Sequence, residues 1–81
     1  MKLKYKVGDV IFITNSEEPE YKRYVGLVGV IKLITEVNNH GYPYHTHFAG
    51  YEDSLWNDRE IRIATKEEKE KFEQLVVEEA I

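Results

Sequence analysis

Nine consecutive residues, HGYPYHTHF at positions 40–48, hold three histidines, two tyrosines, a proline and a glycine. Imidazole nitrogens bind transition metals and exchange protons near neutral pH. On an extended strand, side chains alternate between faces, so His45 and His47 would lie side by side, close enough to share one zinc ion. A structural zinc site takes four ligands and a catalytic one takes three plus water. His40 falls in the preceding turn, and Glu52 or Asp53 would have to complete the set. The ligand count falls short, so neither a metal nor another cofactor is expected.

Covalent catalysis is equally short of parts. The chain has no cysteine, and Ser16 and Ser54 lack the G-x-S-x-G context of an activated serine. Glu52, Asp53, Asp58 and Glu60 lie close in sequence to the histidines and could do acid–base work. With no pocket-forming motif beside them, they are expected to be ordinary loop and strand-end acids, and the chain is not expected to be an enzyme.

Recognition chemistry is better supplied. Six tyrosines and one tryptophan exceed what a small core needs. Tyr21, Tyr24, Tyr42 and Tyr51 fall in segments expected to be loops or turns. There a tyrosine offers large contact area, a hydrogen-bonding tip and a low entropy cost. The run YKRY at 21–24 adds Lys22 and Arg23 between two rings, a pattern suited to stacking on bases with phosphates alongside. Lys2, Lys4 and Lys6 could extend a basic patch. Equally, they could form the wet side of a segment whose Leu3 and Tyr5 face inward. The expected partner-binding set is Tyr21, Lys22, Arg23, Tyr24, Tyr42, His45, His47 and Tyr51. A protein partner is favoured over nucleic acid by charge. Residues 1–50 carry six Lys/Arg against five Asp/Glu, and residues 51–81 carry five against ten, for a net charge of −4. Phosphate binding needs the opposite balance.

The elements that must position these groups follow from periodicity. At 81 residues the chain is one domain. KVGDVIFIT opens with a Gly-Asp turn and runs into a strand at residues 10–13. NSEEPEYKRY breaks the pattern and is expected to be an exposed loop. GLVGVIKLITEV is expected to be a long bent strand over 27–37, with Gly26 and Gly29 allowing curvature where a side chain would obstruct a neighbouring backbone. Asn38, Asn39, Gly41 and Pro43 mark a turn. YHTHFAG, then SLW and REIRIA, supply the remaining strands, divided by Asn57-Asp58. Thr65 and Glu68 form a capping box, and Phe72, Leu75, Val76 and Ala80 line one face of a helix over 66–79, with Glu67 and Lys71 spaced to pair.

KVGDVIFIT followed by YVGLVGVIKLI resembles the opening of an SH3-like barrel of the KOW type. There a Gly-Asp turn, here Gly8-Asp9, precedes the first strand, and a G-x-x-G, here Gly26 and Gly29, opens the second. The resemblance spans residues 6–64 and implies a small barrel followed by a helix over 65–81. KOW domains often bind nucleic acid through a short basic loop before the G-x-x-G; this chain has a longer, Glu-rich one. Its W-x-D-x-E-I and A-T-x-E-E stretches at 56–61 and 64–68 are similar to small proteins of bacteriophages and mobile elements. Acidity, small size, loop tyrosines and the lack of catalytic motifs lead to the expectation of a non-enzymatic protein-binding module, a phage-type modulator of a host factor, with a KOW-like nucleic-acid binder as the alternative.

The expected fold is therefore mainly β, a small SH3-like barrel with one C-terminal α-helix. Its expected core is Val10, Phe12, Ile31, Leu33, Phe48, Trp56, Ile61, Ile63, Phe72 and Leu75. Tyr44 and Thr46 share the inner face with Phe48, which leaves His45 and His47 outside. No apolar run is long enough to span a membrane and no signal-peptide core precedes the first strand, so a cytoplasmic protein is expected.

Overall fold

A computed structural model describes residues 3–35 and 41–79 of the chain. Five antiparallel strands form one sheet: β1 (Val10–Ile13), β2 (Val28–Ile34), β3 (Tyr44–Phe48), β4 (Tyr51–Trp56) and β5 (Ile61–Ile63). A 3-10 helix, Pro19–Tyr24, interrupts the connection from β1 to β2, and the chain ends in helix α1 (Lys66–Glu79). The spatial order is β4-β3-β2-β1-β5: four strands meander, and the fifth returns to pair with the first. This is the expected mainly β fold with one terminal helix, and it is compatible with an SH3-like architecture. The expected continuation of the second strand to Val37, the turn at Asn38 and Asn39, His40, Lys2 and Ala80 lie outside the described residues.

The inner face of the sheet carries Ile11, Ile13, Ile31, Tyr44, Thr46, Phe48 and Trp56, each at most 1% exposed. The phase expected for β3 holds: its burial alternates, with Tyr44, Thr46 and Phe48 in and His45 and His47 out. Leu3 and Tyr5 also turn inward as expected, and two backbone N–H groups, of Lys4 and Tyr5, donate to the Tyr44 hydroxyl. Gly29 is placed by close approach. A Cβ there would sit 2.6 Å from Thr46 Cγ2 and 2.8 Å from the His47 carbonyl oxygen, so only glycine lets β2 and β3 coil this tightly.

Five expectations about the core change. Val10 and Phe12 are half-buried on the outer face, while their neighbours Ile11 and Ile13 are buried. The stretch VIFI is apolar at every position, so alternation could not choose its phase. Leu33 is 50% exposed, because a register shift between Ile31 and Leu33 turns it outward. Ile63 faces the core side but lies on edge strand β5, where nothing further covers it. Leu75 is 51% exposed even though Phe72, one turn earlier, is buried. Tyr51, expected in a loop, begins β4, since Ala49 and Gly50 make the turn and Gly50 takes φ +80°.

Truncating Phe48 to Ala removes a fully buried ring and is expected to cost about 3–5 kcal/mol. Leu33→Ala, at a half-exposed site, is expected to change stability by no more than about 0.5–1 kcal/mol. Urea unfolding of the two variants measures both. Equal losses would contradict the assigned strand faces.

Candidate functional site

The eight residues expected to meet a partner do not form one patch: Tyr21, Tyr24 and Tyr51 pack on one another, whereas His45 and His47 face outward on β3. Tyr24 is in the core, 1% exposed, with its ring centroid 5.1 Å from Phe48, 5.7 Å from Trp56 and 5.4 Å from Tyr51. Its hydroxyl donates to the Glu52 carbonyl oxygen at 2.9 Å. Tyr21 is half-buried and meets Tyr24 and Trp56 edge-on. The expected loop is thus a 3-10 helix that folds its rings over the inner face of the sheet. Lys22 and Arg23 remain exposed, and the Arg23 guanidinium lies 5.2 Å from the Tyr24 ring. With both tyrosine rings turned inward, YKRY presents two cations and little aromatic surface for a base to stack upon.

On the opposite side of the sheet, His47 Nδ1 lies 2.8 Å from Asp53 Oδ1, and Asp53 also pairs with Lys32. The Lys32 hydrogen bond and the His47 contact hold the Asp53 carboxyl below its ordinary value, against the opposing effect of burial. His45 Nε2 lies 3.3 Å from Thr35 Oγ1. Among the described residues, no three His, Asp or Glu side chains converge as metal ligands would, and no helix is long and apolar enough to cross a membrane.

Two features lie outside what the sequence expectations cover. The first is a polar clasp. Glu60, expected to be an ordinary strand-end acid, is 1% exposed. Its carboxylate accepts the Glu17 N–H at 2.7 Å and the Asn57 N–H at 3.1 Å, and its carbonyl oxygen accepts from the Thr14 N–H and hydroxyl. Around it, Arg59 donates twice to the Glu17 carboxylate, and the Asn57 amide donates to the same group. Tyr42 is half-buried at this cluster and donates to Glu18 Oε1 at 3.3 Å. Burial raises the Glu60 carboxyl above its ordinary value, and the two N–H donors oppose that rise. Arg59 first, then Asn57, draw Glu17 down to about 2. The clasp joins the β1–β2 connection to the β4–β5 turn and so fixes the 3-10 helix that closes the core. A signal for it exists in the spacing. Asn57 and Glu60 repeat the three-residue offset of Thr65 and Glu68, and in both pairs the earlier N–H donates to the later carboxylate.

The second feature is a cleft of about 340 Å³ between α1 and the sheet, lined by Phe12, Leu27, Val28, Phe48, Phe72 and Leu75 with Glu68 and Lys71 at the helix. All three phenylalanines of the chain meet here. From α1 come residues 68, 71, 72 and 75, the i, i+3, i+4, i+7 stripe of one helical face. The expected capping box starts this helix: the Thr65 N–H donates to Glu68 Oε1 at 2.8 Å, and the Glu68 N–H donates to Thr65 Oγ1 at 3.2 Å. Arg62 then anchors the helix to the sheet. Its two terminal nitrogens donate to the two Glu68 oxygens, each at 2.9 Å, while its guanidinium lies 4.0 Å from the Phe12 ring centroid. The Arg62 hydrogen bonds draw the Glu68 carboxyl down to about 2. This anchoring explains why Phe12 could be apolar on the outer face: it is covered by Arg62 and α1 rather than by the core.

Comparison with models of known protein families, with curated proteins and with solved structures finds no match for this chain.

Two outcomes follow from the charged contacts. Glu60→Gln turns one N–H acceptor into a donor inside the clasp, and the expected loss is about 1–3 kcal/mol by chemical denaturation. An unchanged midpoint would mean that the clasp does not hold the loop. The second concerns acid. Glu68 has a folded pKa lowered from 4.5 to about 2, so its contribution is present above 4.5 and is lost as pH falls toward 2. Glu17 acts in the same direction over the same window. Glu60, raised, acts oppositely: it favours the folded state more as pH falls through its raised pKa toward 4.5. The melting temperature is therefore expected to drop between pH 4.5 and 2, and to drop less in Glu68→Gln. Identical acid profiles for Glu68→Gln and the unaltered chain would contradict the Arg62–Glu68 anchor.

Proposed function

We propose that the chain is a protein-binding module and that its docking surface is the cleft between α1 and the sheet. The observation that carries this reading is the unfinished burial of α1. Phe72 is 6% exposed, yet Leu75 on the same face is 51% exposed at the mouth of an apolar cleft. Fully burying a leucine contributes about 1.5–3 kcal/mol, so leaving it half in water forgoes on the order of 1 kcal/mol that a partner's side chain could recover. Exposed apolar groups beside a concave, rigidly anchored wall are where binding energy concentrates. The anchoring supports the same reading: Arg62, Glu68 and the capping box hold α1 in place, so the cleft exists before a partner arrives and little ordering cost opposes binding.

The loop tyrosines take a different role under this proposal. Tyr24 and Tyr21 serve the core, and recognition passes to the helix. The net charge of −4 supports a protein partner over nucleic acid, a polyanion that needs clustered cations to bind.

The test is capture from lysate by the purified chain, compared among three forms. Leu75→Asp is expected to lose the captured protein, whereas Leu33→Asp, at an equally exposed position on the sheet, keeps it. Both substitutions fall at half-exposed sites, so melting temperatures should stay within a few degrees of the unaltered chain. Equal capture by Leu75→Asp and Leu33→Asp would sink the cleft as the docking surface.

A further inference from the structure

We infer that the cleft recognises an apolar side chain with a carboxylate beside it, the carboxylate being held by Lys71; this rests on the docking reading above and names the partner's chemistry. Among the described residues two charged side chains line the cleft, Glu68 and Lys71, and they are in different states. Glu68 is fully engaged. Both its oxygens accept from Arg62, one also accepts from the Thr65 N–H, and Arg62 itself is further tied to the Ile63 carbonyl oxygen and the Phe12 ring. That ion pair has no remaining appetite for a ligand's charge.

Lys71 is exposed, and among the described residues it has no ion pair or side-chain hydrogen bond. Glu67, four residues earlier and spaced to pair with it, makes no such contact, and neither Glu67, Glu70 nor Glu73 lines the cleft. The cleft therefore has apolar walls, one mutually paired Arg62–Glu68 contact and one lysine, Lys71, without an ion-pair partner among the described residues. An ammonium has three donors and no acceptor, so its complement is an anionic oxygen. A hydrocarbon group placed between Phe12, Val28 and Phe72 would leave its carboxylate within the solvent-facing part of the cleft, which exposed Lys71 also lines. A free cation in this place favours a carboxylate over an amide or an amine on the same hydrocarbon. Because Lys71 stays hydrated at the rim, the preference is modest, as for other exposed pairs.

The experiment is an NMR titration of the full chain with three probes sharing one hydrocarbon: 3-phenylpropanoate, 3-phenylpropanamide and 3-phenylpropylamine. The acid is expected to shift the signals of Phe12, Val28, Phe72 and Leu75, to bind about two- to fivefold tighter than the amide, and to exceed the amine by more. In Lys71→Met the acid and the amide should bind equally, with amide binding unchanged. Equal affinities in the unaltered chain, a preference that survives Lys71→Met, or shifts confined to other surfaces would each overturn the inference. The outcome is separable from that of the docking reading. Loss of capture in Leu75→Asp with equal acid and amide binding sinks the carboxylate and leaves the docking surface. Undiminished capture in Leu75→Asp sinks both.

Discussion

An 81-residue chain that builds a sheet with apolar groups on both faces must find two covers for it. The inner face is covered by the sheet's own curvature and by rings folded in from the ends: Tyr5 from the N-terminal segment, and Tyr21 and Tyr24 from the 3-10 helix. Among the described residues the outer face has only the 14-residue α1. Phe72, buried beside half-buried Phe12 and Val28, is the contact through which the second cover works, and Arg62 aligns it by gripping Glu68 while lying across Phe12. One helix cannot cover five strands. What it leaves uncovered is the cleft, while Leu33 and Leu55, each paired opposite His45, stay exposed elsewhere on the same face.

Polar groups do the fastening at both ends. Taking a carboxylate out of water is costly unless its oxygens are satisfied. Glu60 meets that condition with two backbone donors, and among the described residues no buried side-chain nitrogen or oxygen lacks a partner. Glu60 and Glu68 are the same device used twice. Each sits three residues after the start of a turn and accepts its N–H; each also reaches a second element, the β1–β2 connection for Glu60 and strand β5, through Arg62, for Glu68. A domain without disulfides can hold its connections by such clasps, which leave the apolar residues free for the two covers.

Much of this was legible in the residues. The helix and its capping box are local features, set by neighbours a few positions apart, and both appear where the spacing placed them. The β3 phase was legible because histidines at 45 and 47 alternate with Tyr44, Thr46 and Phe48, whose two end residues are large aromatics. Phase failed in β1, where four apolar residues in a row serve two covered faces, and at Leu33, where a register shift that no local pattern announces turned the side chain out. Tyr24 looked like a loop residue because the segment before it is polar; only the folded chain shows that this segment is a lid whose ring completes the core. Glu60 was hidden for the same reason, since a carboxylate is buried only when distant N–H groups, here that of Glu17, come to meet it. The cleft depends on where α1 lies against the sheet, which is a long-range outcome.

The central claim is that α1 covers the outer face incompletely, with Phe72 docked and Leu75 left open. The most direct measurement is relaxation of methyl and aromatic NMR signals by a soluble paramagnetic agent in the free chain. Leu75 methyls should relax as fast as those of Leu33, while the Phe72 ring stays as protected as the methyls of Ile11 and Ile13. Leu75 methyls as protected as those of Ile13 would show the face already closed and would contradict the account.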